Sequence, residues 1–130
     1  MAVQLREHHI EVAEDGLAES LRGVIEVPGR GLLLGMWQAT RCIGIAYVSL
    51  VWTLEHGGHS AWLEEFYLDP EFRGQGLGTR FLLAIEAACL ADGCAAVDLE
   101  IDADHERVRS LYERHGYSAL PRRRMSKVLA

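Results

Sequence analysis

The sequence predicts an α+β (mixed α/β) domain, a single central, mostly antiparallel sheet flanked by helices. Three observations carry this. Residues 32–70 hold three successive segments rich in β-branched and aromatic residues and separated by turn signals. From Leu77 the apolar period changes to three and four, the signature of a helix lying on a core. A further strand and helix then follow over 95–116. With 130 residues the chain is expected to be one domain, 1–130, large enough to bury most of its apolar surface.

In chain order, "VQLREHHIEV" (3–12) reads as a short strand of mixed apolar and polar residues. "DGLAESLRGVIEV" (15–27) is helical in pattern, since Leu17, Leu21 and Val24 recur at i, i+4 and i+7. "PGRG" (28–31) breaks the chain. "LLLGMWQA" and "CIGIAYVSLVWTL" are strands with a turn near Thr40 and Arg41, and "HGGHS" (56–60) closes a second hairpin before "AWLEEFYL". From Leu77 to Ala91 the residues Leu77, Phe81, Ala84, Ile85 and Ala88 share one helical face. "ADGC" (91–94) stops that helix and "AAVDLEI" (95–101) is the next strand. "DADHERVRSLYERHG" (102–116) is a helix with Gly116 placed as its C-terminal stop. "YSALPRRRMSKVLA" supplies two short closing strands around Pro121.

Composition narrows the function classes. No apolar run approaches the roughly 20 residues of a membrane span, and the N-terminus lacks the basic-then-apolar pattern of a signal peptide, so a cytoplasmic location is expected. Cys42, Cys89 and Cys94 show no metal-type pair spacing and are too few for a disulfide framework; they read as reduced, buried thiols. His8, His9, His56, His59 and His115 show no ligand spacing either, and no metal is expected. A formal charge of −6 disfavours nucleic acid and favours cationic or neutral partners. Trp37, Trp52 and Trp62 read as core or sheet-face packing rather than pocket lining. Arg122, Arg123 and Arg124 read as a solvated segment rather than a phosphate-docking patch.

The chemistry concentrates in "EEFYLDPEFRGQGLGTRFL" (64–82). Gly74, Gly76 and Gly78 stand behind Arg73 at the mouth of the helix. A helix N-terminus offers unpaired amide hydrogens and partial positive charge, glycine lets a ligand approach the backbone, and arginine pairs with phosphate oxygens. The P-loop would need a lysine where Thr79 and Arg80 stand, and the dinucleotide fingerprint needs G-x-G-x-x-G rather than G-x-G-x-G.

The pattern that fits is R-x-x-G-x-G, Arg73 to Gly78, after a strand ending in Asp-Pro. With it, the sequence resembles the GNAT superfamily of acyl-coenzyme A-dependent N-acetyltransferases. "LEIDADHERVRSLYERHGY" (99–117) resembles that family's second segment and "RRRMSKVL" its closing strand, so the likeness covers roughly residues 62–129 in order. The resemblance implies a sheet splayed between its fourth and fifth strands, with acetyl-CoA in the gap and no metal. Only about 20 residues separate the first two strands, so the N-terminal helical region is shortened relative to the family. A cleft completed by a second subunit, hence a homodimer, is compatible with that.

The resemblance further implies site residues. Phe66, Tyr67 and Leu68 would pair with the pantetheine arm, and Arg73, Gly74, Gln75, Gly76, Leu77, Gly78 and Thr79 would take the pyrophosphate. The implied reaction is acetyl transfer from acetyl-CoA to a primary amine by direct attack through a tetrahedral intermediate. Tyr112 stands at the position of the family's acid for the leaving thiolate. The base is left open among Glu64, Glu100 and Glu65, in that order of preference, because alternation sends Glu64 and Glu65 to opposite faces. His105 stands where the family often has asparagine, and could contact the arm, titrate as a base, or be exposed beside a capping aspartate. An inactive acyl-CoA-binding sensor is the alternative function. The acceptor's identity and the use of acyl groups other than acetyl are not specified by these residues.

Overall fold

The computed structural model describes residues 23–102 and 108–130. The expected strand 3–12, most of the helix 15–27 and His105 lie outside them; residues 23–26 are helical. The fold is α+β, with strands β1 (Gly31–Gln38), β2 (Arg41–Thr53), β3 (Gly58–Leu68) and β4 (Val97–Leu99) in the spatial order β1-β2-β3-β4. The two hairpin pairings are antiparallel and β3 pairs with β4 in parallel. Strand β2 lies between β1 and β3, and Ile43, Ala46 and Val48 are buried in it.

Helix α1 (Leu77–Ala91) buries Phe81, Leu82, Ile85 and Cys89. The helix has the predicted limits, but its buried stripe is rotated from the one expected, since Ala84 is exposed and Leu82 fully buried. Withdrawing a leucine from water gains more than withdrawing an alanine, by about 0.8 kcal/mol per methylene, so the larger side chains set the rotation. Gly44 makes the approach possible. A Cβ there would lie 2.9 Å from the Tyr67 carbonyl oxygen and 3.0 Å from the Phe81 ring. Helix α1 ends in a Schellman turn, with Gly93 at φ 89° and bonds from Gly93 N–H to the Leu90 carbonyl and from Cys94 N–H to the Cys89 carbonyl.

The chain divides into two compact units, up to Glu100 and from Ile101 to Ala130. In the second, helix α2 (Arg109–Arg114) ends in the same turn: Gly116 is at φ 89°, and Tyr117 N–H bonds back to the Tyr112 carbonyl. Gly116 therefore stops the helix as its position predicts. The two closing strands expected around Pro121 are not present; residues 117–130 join no ladder among the described residues. Apolar alternation alone does not make a strand without an edge to pair with, and Leu120, Met125, Val128 and Leu129 are exposed. Trp37 and Trp52 are exposed too, lying near Gly35 and Gly58, so they cover the sheet face rather than fill the core. No described helix is long and apolar enough to cross a membrane.

Candidate active site

The site begins where β3 loses a neighbour. Its ladder with β4 runs only from Ala61↔Val97 to Leu63↔Leu99, whereas its ladder with β2 continues to Gly44↔Leu68. The expected splay between the fourth and fifth strands, β3 and β4, is therefore a fork just past Leu63 and Leu99. The parallel register carries Glu64 and Glu100, the residues after that last pair, to the same level at the mouth of the fork. Both carboxylate-bearing residues are exposed.

Glu64 has a further distinction. The β2–β3 register pairs Tyr47 with Glu65 and Val48 with Leu63, so Glu64 is the extra residue of a β-bulge. A bulge bends its strand and re-aims side chains, so the simple alternation that separated Glu64 from Glu65 does not hold here. Beyond it, Phe66 meets Phe81 of α1 edge-on at 5.4 Å between ring centroids. Tyr67 instead lies under the Arg73 guanidinium, 5.5 Å from the ring centre.

Sequence reasoning missed Tyr47. Burial pushes its phenol up from the ordinary tyrosine range, the Glu64 carboxylate pushes it further, and Arg30 pulls the other way. Glu64, Tyr47 and Arg30 therefore share one electrostatic neighbourhood beside the bulge. No local sequence signal marks Tyr47: Gly31, paired with Ser49 one strand over, makes the room, since a Cβ there would lie 2.7 Å from the Tyr47 ring.

After Leu68 a single 3-10 turn, Pro70–Phe72, turns the chain toward α1. Two arginines brace it. Arg41 reaches Asp69 at 3.1 Å and Glu71 at 2.5 Å and lies over the Phe72 ring. Arg73 donates Nε–H to the Leu68 carbonyl at 2.8 Å, tying the loop to the end of β3. Gln75 caps the arrangement by donating to the Glu71 carbonyl at 3.2 Å. Gly74 and Gly76 sit at φ 79° and 78°, a conformation other residues adopt only under strain.

Gly76 is the N-cap of α1 and contributes no side-chain acceptor to it. The first helical amides, those of Leu77, Gly78 and Thr79, precede the first bond of the helix, Arg80 N–H to the Gly76 carbonyl. Gly78 has an ordinary φ, and a Cβ added there would meet nothing within 4 Å. Neither the backbone nor the protein's own packing requires glycine at 78, and amides at a helix N-terminus suit an anion. The loop and the strand edge that ends in it together fit a group with a peptide-like arm and a pyrophosphate, as coenzyme A has.

Tyr112 belongs to the second unit. Burial alone pushes its phenol up to about 12, and its ring meets Tyr117 edge-on at 5.6 Å. It is therefore a proton donor throughout the neutral range.

Comparisons with known proteins agree with this geometry. The chain is 32% identical over 59 residues to the thialysine N-epsilon-acetyltransferase of Bos taurus, covering 45% of this chain and 35% of the relative. With the Mus musculus protein of the same name it shares 24% identity over 120 residues, covering 82% of this chain and 65% of the relative. The match thus spans between about a third and two thirds of these relatives. An integron cassette protein from the mobile metagenome of Cole Harbour Salt Marsh has the same fold, with TM-score 0.85 and 22% identity over 100% of this chain and 80% of that one. So has a possible acetyltransferase from Clostridium difficile 630, with TM-score 0.81 and 15% identity over 98% of this chain and 86% of that one. The family model "Acetyltransferase (GNAT) family" matches residues 4–117, and on that match the chain belongs to the GNAT family of acetyltransferases.

Proposed function

We propose that this chain transfers an acetyl group from acetyl-CoA to a primary amine. The observation that carries the reading is the continuity of the fork with the helix mouth. One strand loses its parallel neighbour at Leu63, runs on to Leu68, and leads within one turn into a glycine-capped helix N-terminus. In this reading, Phe66, Tyr67 and Leu68 present backbone to the pantetheine arm, and the amides of residues 74–79 hold the pyrophosphate. Arg73 keeps its Nε on Leu68 and so positions the loop first, with charge toward the phosphates second. Acetyl-CoA supplies the thioester carbonyl on which an amine can be acylated.

The chain's own residues then have three tasks. Glu64, aimed by the bulge, accepts the ammonium proton directly or through water, with Glu100 at the same level as the second acceptor. Tyr47 sits in the field of Glu64 and orients it or the incoming amine. Tyr112 donates its phenolic proton to the departing sulfur. His105 is kept as a contact to the arm. The relatives' name, thialysine N-epsilon-acetyltransferase, brings lysine-like small amines to the front of the acceptor candidates. A second copy completes the acceptor side, with the exposed apolar residues Leu120, Met125, Val128 and Leu129 available to pair with it.

The test is coenzyme A thiol release from acetyl-CoA across thialysine, lysine, polyamines, aminoglycosides and a peptide N-terminus. Saturable release with at least one amine is expected. Tight coenzyme A binding with no release on any of them would instead favour a sensor domain.

A further inference from the structure

A cluster of donors lies at the opposite end of α1 from the glycine loop, about 22 Å away along a 15-residue helix. Its origin is in the backbone. The Schellman turn that ends α1 places Asp92 at the C-cap and returns Cys94 over Cys89, the apolar contact such turns favour. The next amide, Ala95 N–H, bonds to the His59 carbonyl at 2.9 Å, bringing the start of β3 alongside. His59 Nε2 then stands 3.0 Å from Asp92 Oδ2. The ligand atoms of His59, Asp92 and Cys94 all lie within 4.8 Å of one another. Turn packing accounts for the meeting of Cys89 and Cys94. It does not account for an imidazole and a carboxylate converging on the same thiol.

We propose that His59, Asp92 and Cys94 form a binding site for a divalent metal ion of borderline softness, Zn(II) being the ion their donors suit. One nitrogen, one oxygen and one sulfur is a set that zinc accepts in tetrahedral geometry, and the sulfur disfavours magnesium and calcium. With bonds of about 2.0–2.3 Å the donors need to stand roughly 3.3–3.8 Å apart, so about an ångström of side-chain rotation closes the site. Water takes the fourth position, and the buried Cys89 thiol stays outside the donor set. His59 and Asp92 are part-exposed, giving the ion a way in, whereas Cys94 is buried. The ion would staple the end of α1 to the start of β3 and the entry to β4. Linear spacing could not reveal this site, because its ligands come from two segments 33 residues apart.

The experiment is a Co(II) titration of the reduced full-length chain, followed optically, with Zn(II) as competitor. The wild type is expected to bind one Co(II) saturably, with a thiolate-to-cobalt charge-transfer band that Zn(II) abolishes. Cys94→Ser should lose the band and Cys89→Ser keep it, with far-UV circular dichroism confirming that each is folded. His59→Ala and Asp92→Asn, at part-exposed positions, should weaken binding more than about tenfold. Zn(II) should raise the Tm of the wild type and not that of a His59→Ala/Asp92→Asn double variant. The proposal is overturned by the absence of a saturable band in the wild type. A band that persists in folded Cys94→Ser, or affinity unchanged in His59→Ala and Asp92→Asn, overturns it equally.

Discussion

At the scale of single residues, two side chains divide the proton work proposed for this chain. Tyr112→Phe keeps the ring against Tyr117 and removes only the hydroxyl. We expect kcat to fall by about a hundredfold with the coenzyme A Kd unchanged; a matching rise in Kd would make the residue structural. The same phenol gives a stability signature. Its pKa is raised by burial from 10.0 to about 12 in the folded chain. The contribution is therefore fully present below pH 10 and is lost as the pH rises toward 12. Between those limits the wild type should lose stability more steeply than Tyr112→Phe, by alkaline titration of the unfolding midpoint. Glu64→Gln should lower kcat/KM about a hundredfold near neutrality and recover at high pH, where the amine is already deprotonated. If Glu100→Gln produces that profile and Glu64→Gln does not, the roles are exchanged. Tyr112, Glu64 and Glu100 are candidates because they stand at matching positions of the family the sequence resembles. Tyr47 was not legible in this way, because its neighbours Glu64 and Gly31 reach it across strands.

At the scale of elements, a bulge stands at the fork, and α1 packs closely on the sheet at Gly44. The sequence shows β2 and β3 as strands, but a bulge is a mismatch between two strands and neither one alone encodes it. Helix α1 was legible to the residue at both ends, because Gly76 and Gly93 mark its limits chemically. Its rotation was not, since that depends on Gly44 and the rings of Phe66 and Phe81 meeting under it. Gly44→Val should therefore destabilise the fold by about 1–3 kcal/mol in chemical denaturation, by forcing the Tyr67 carbonyl and the Phe81 ring aside. Leu82→Ala, at a fully buried site, should cost about 2–5 kcal/mol in the same measurement. A Gly44→Val variant as stable as the wild type would mean that α1 can back away from the sheet without loss.

At the scale of the whole molecule, the strand, turn and helix of the proposed donor side were legible because they are local, lying within residues 64–91. The proposed acceptor side draws on residues from several segments and on a second copy, so no local motif encodes it. Light scattering of the purified chain should give the mass of two copies, with a mutant truncated after Arg124 shifted to the monomer; a monomeric wild type would remove the second copy from the proposal. The account's central claim is that the helix mouth is shaped for a pyrophosphate rather than for the turn itself. Gly78 isolates it. Its φ is ordinary and the space in front of it is open, and valine is a better helix former than glycine, so Gly78→Val should leave stability unchanged or slightly raised. Calorimetric titration of coenzyme A into wild type and Gly78→Val is the direct measurement. The account predicts a Kd raised by more than about tenfold, or roughly 1.4 kcal/mol, at undiminished Tm. Equal affinity in the two proteins would contradict it.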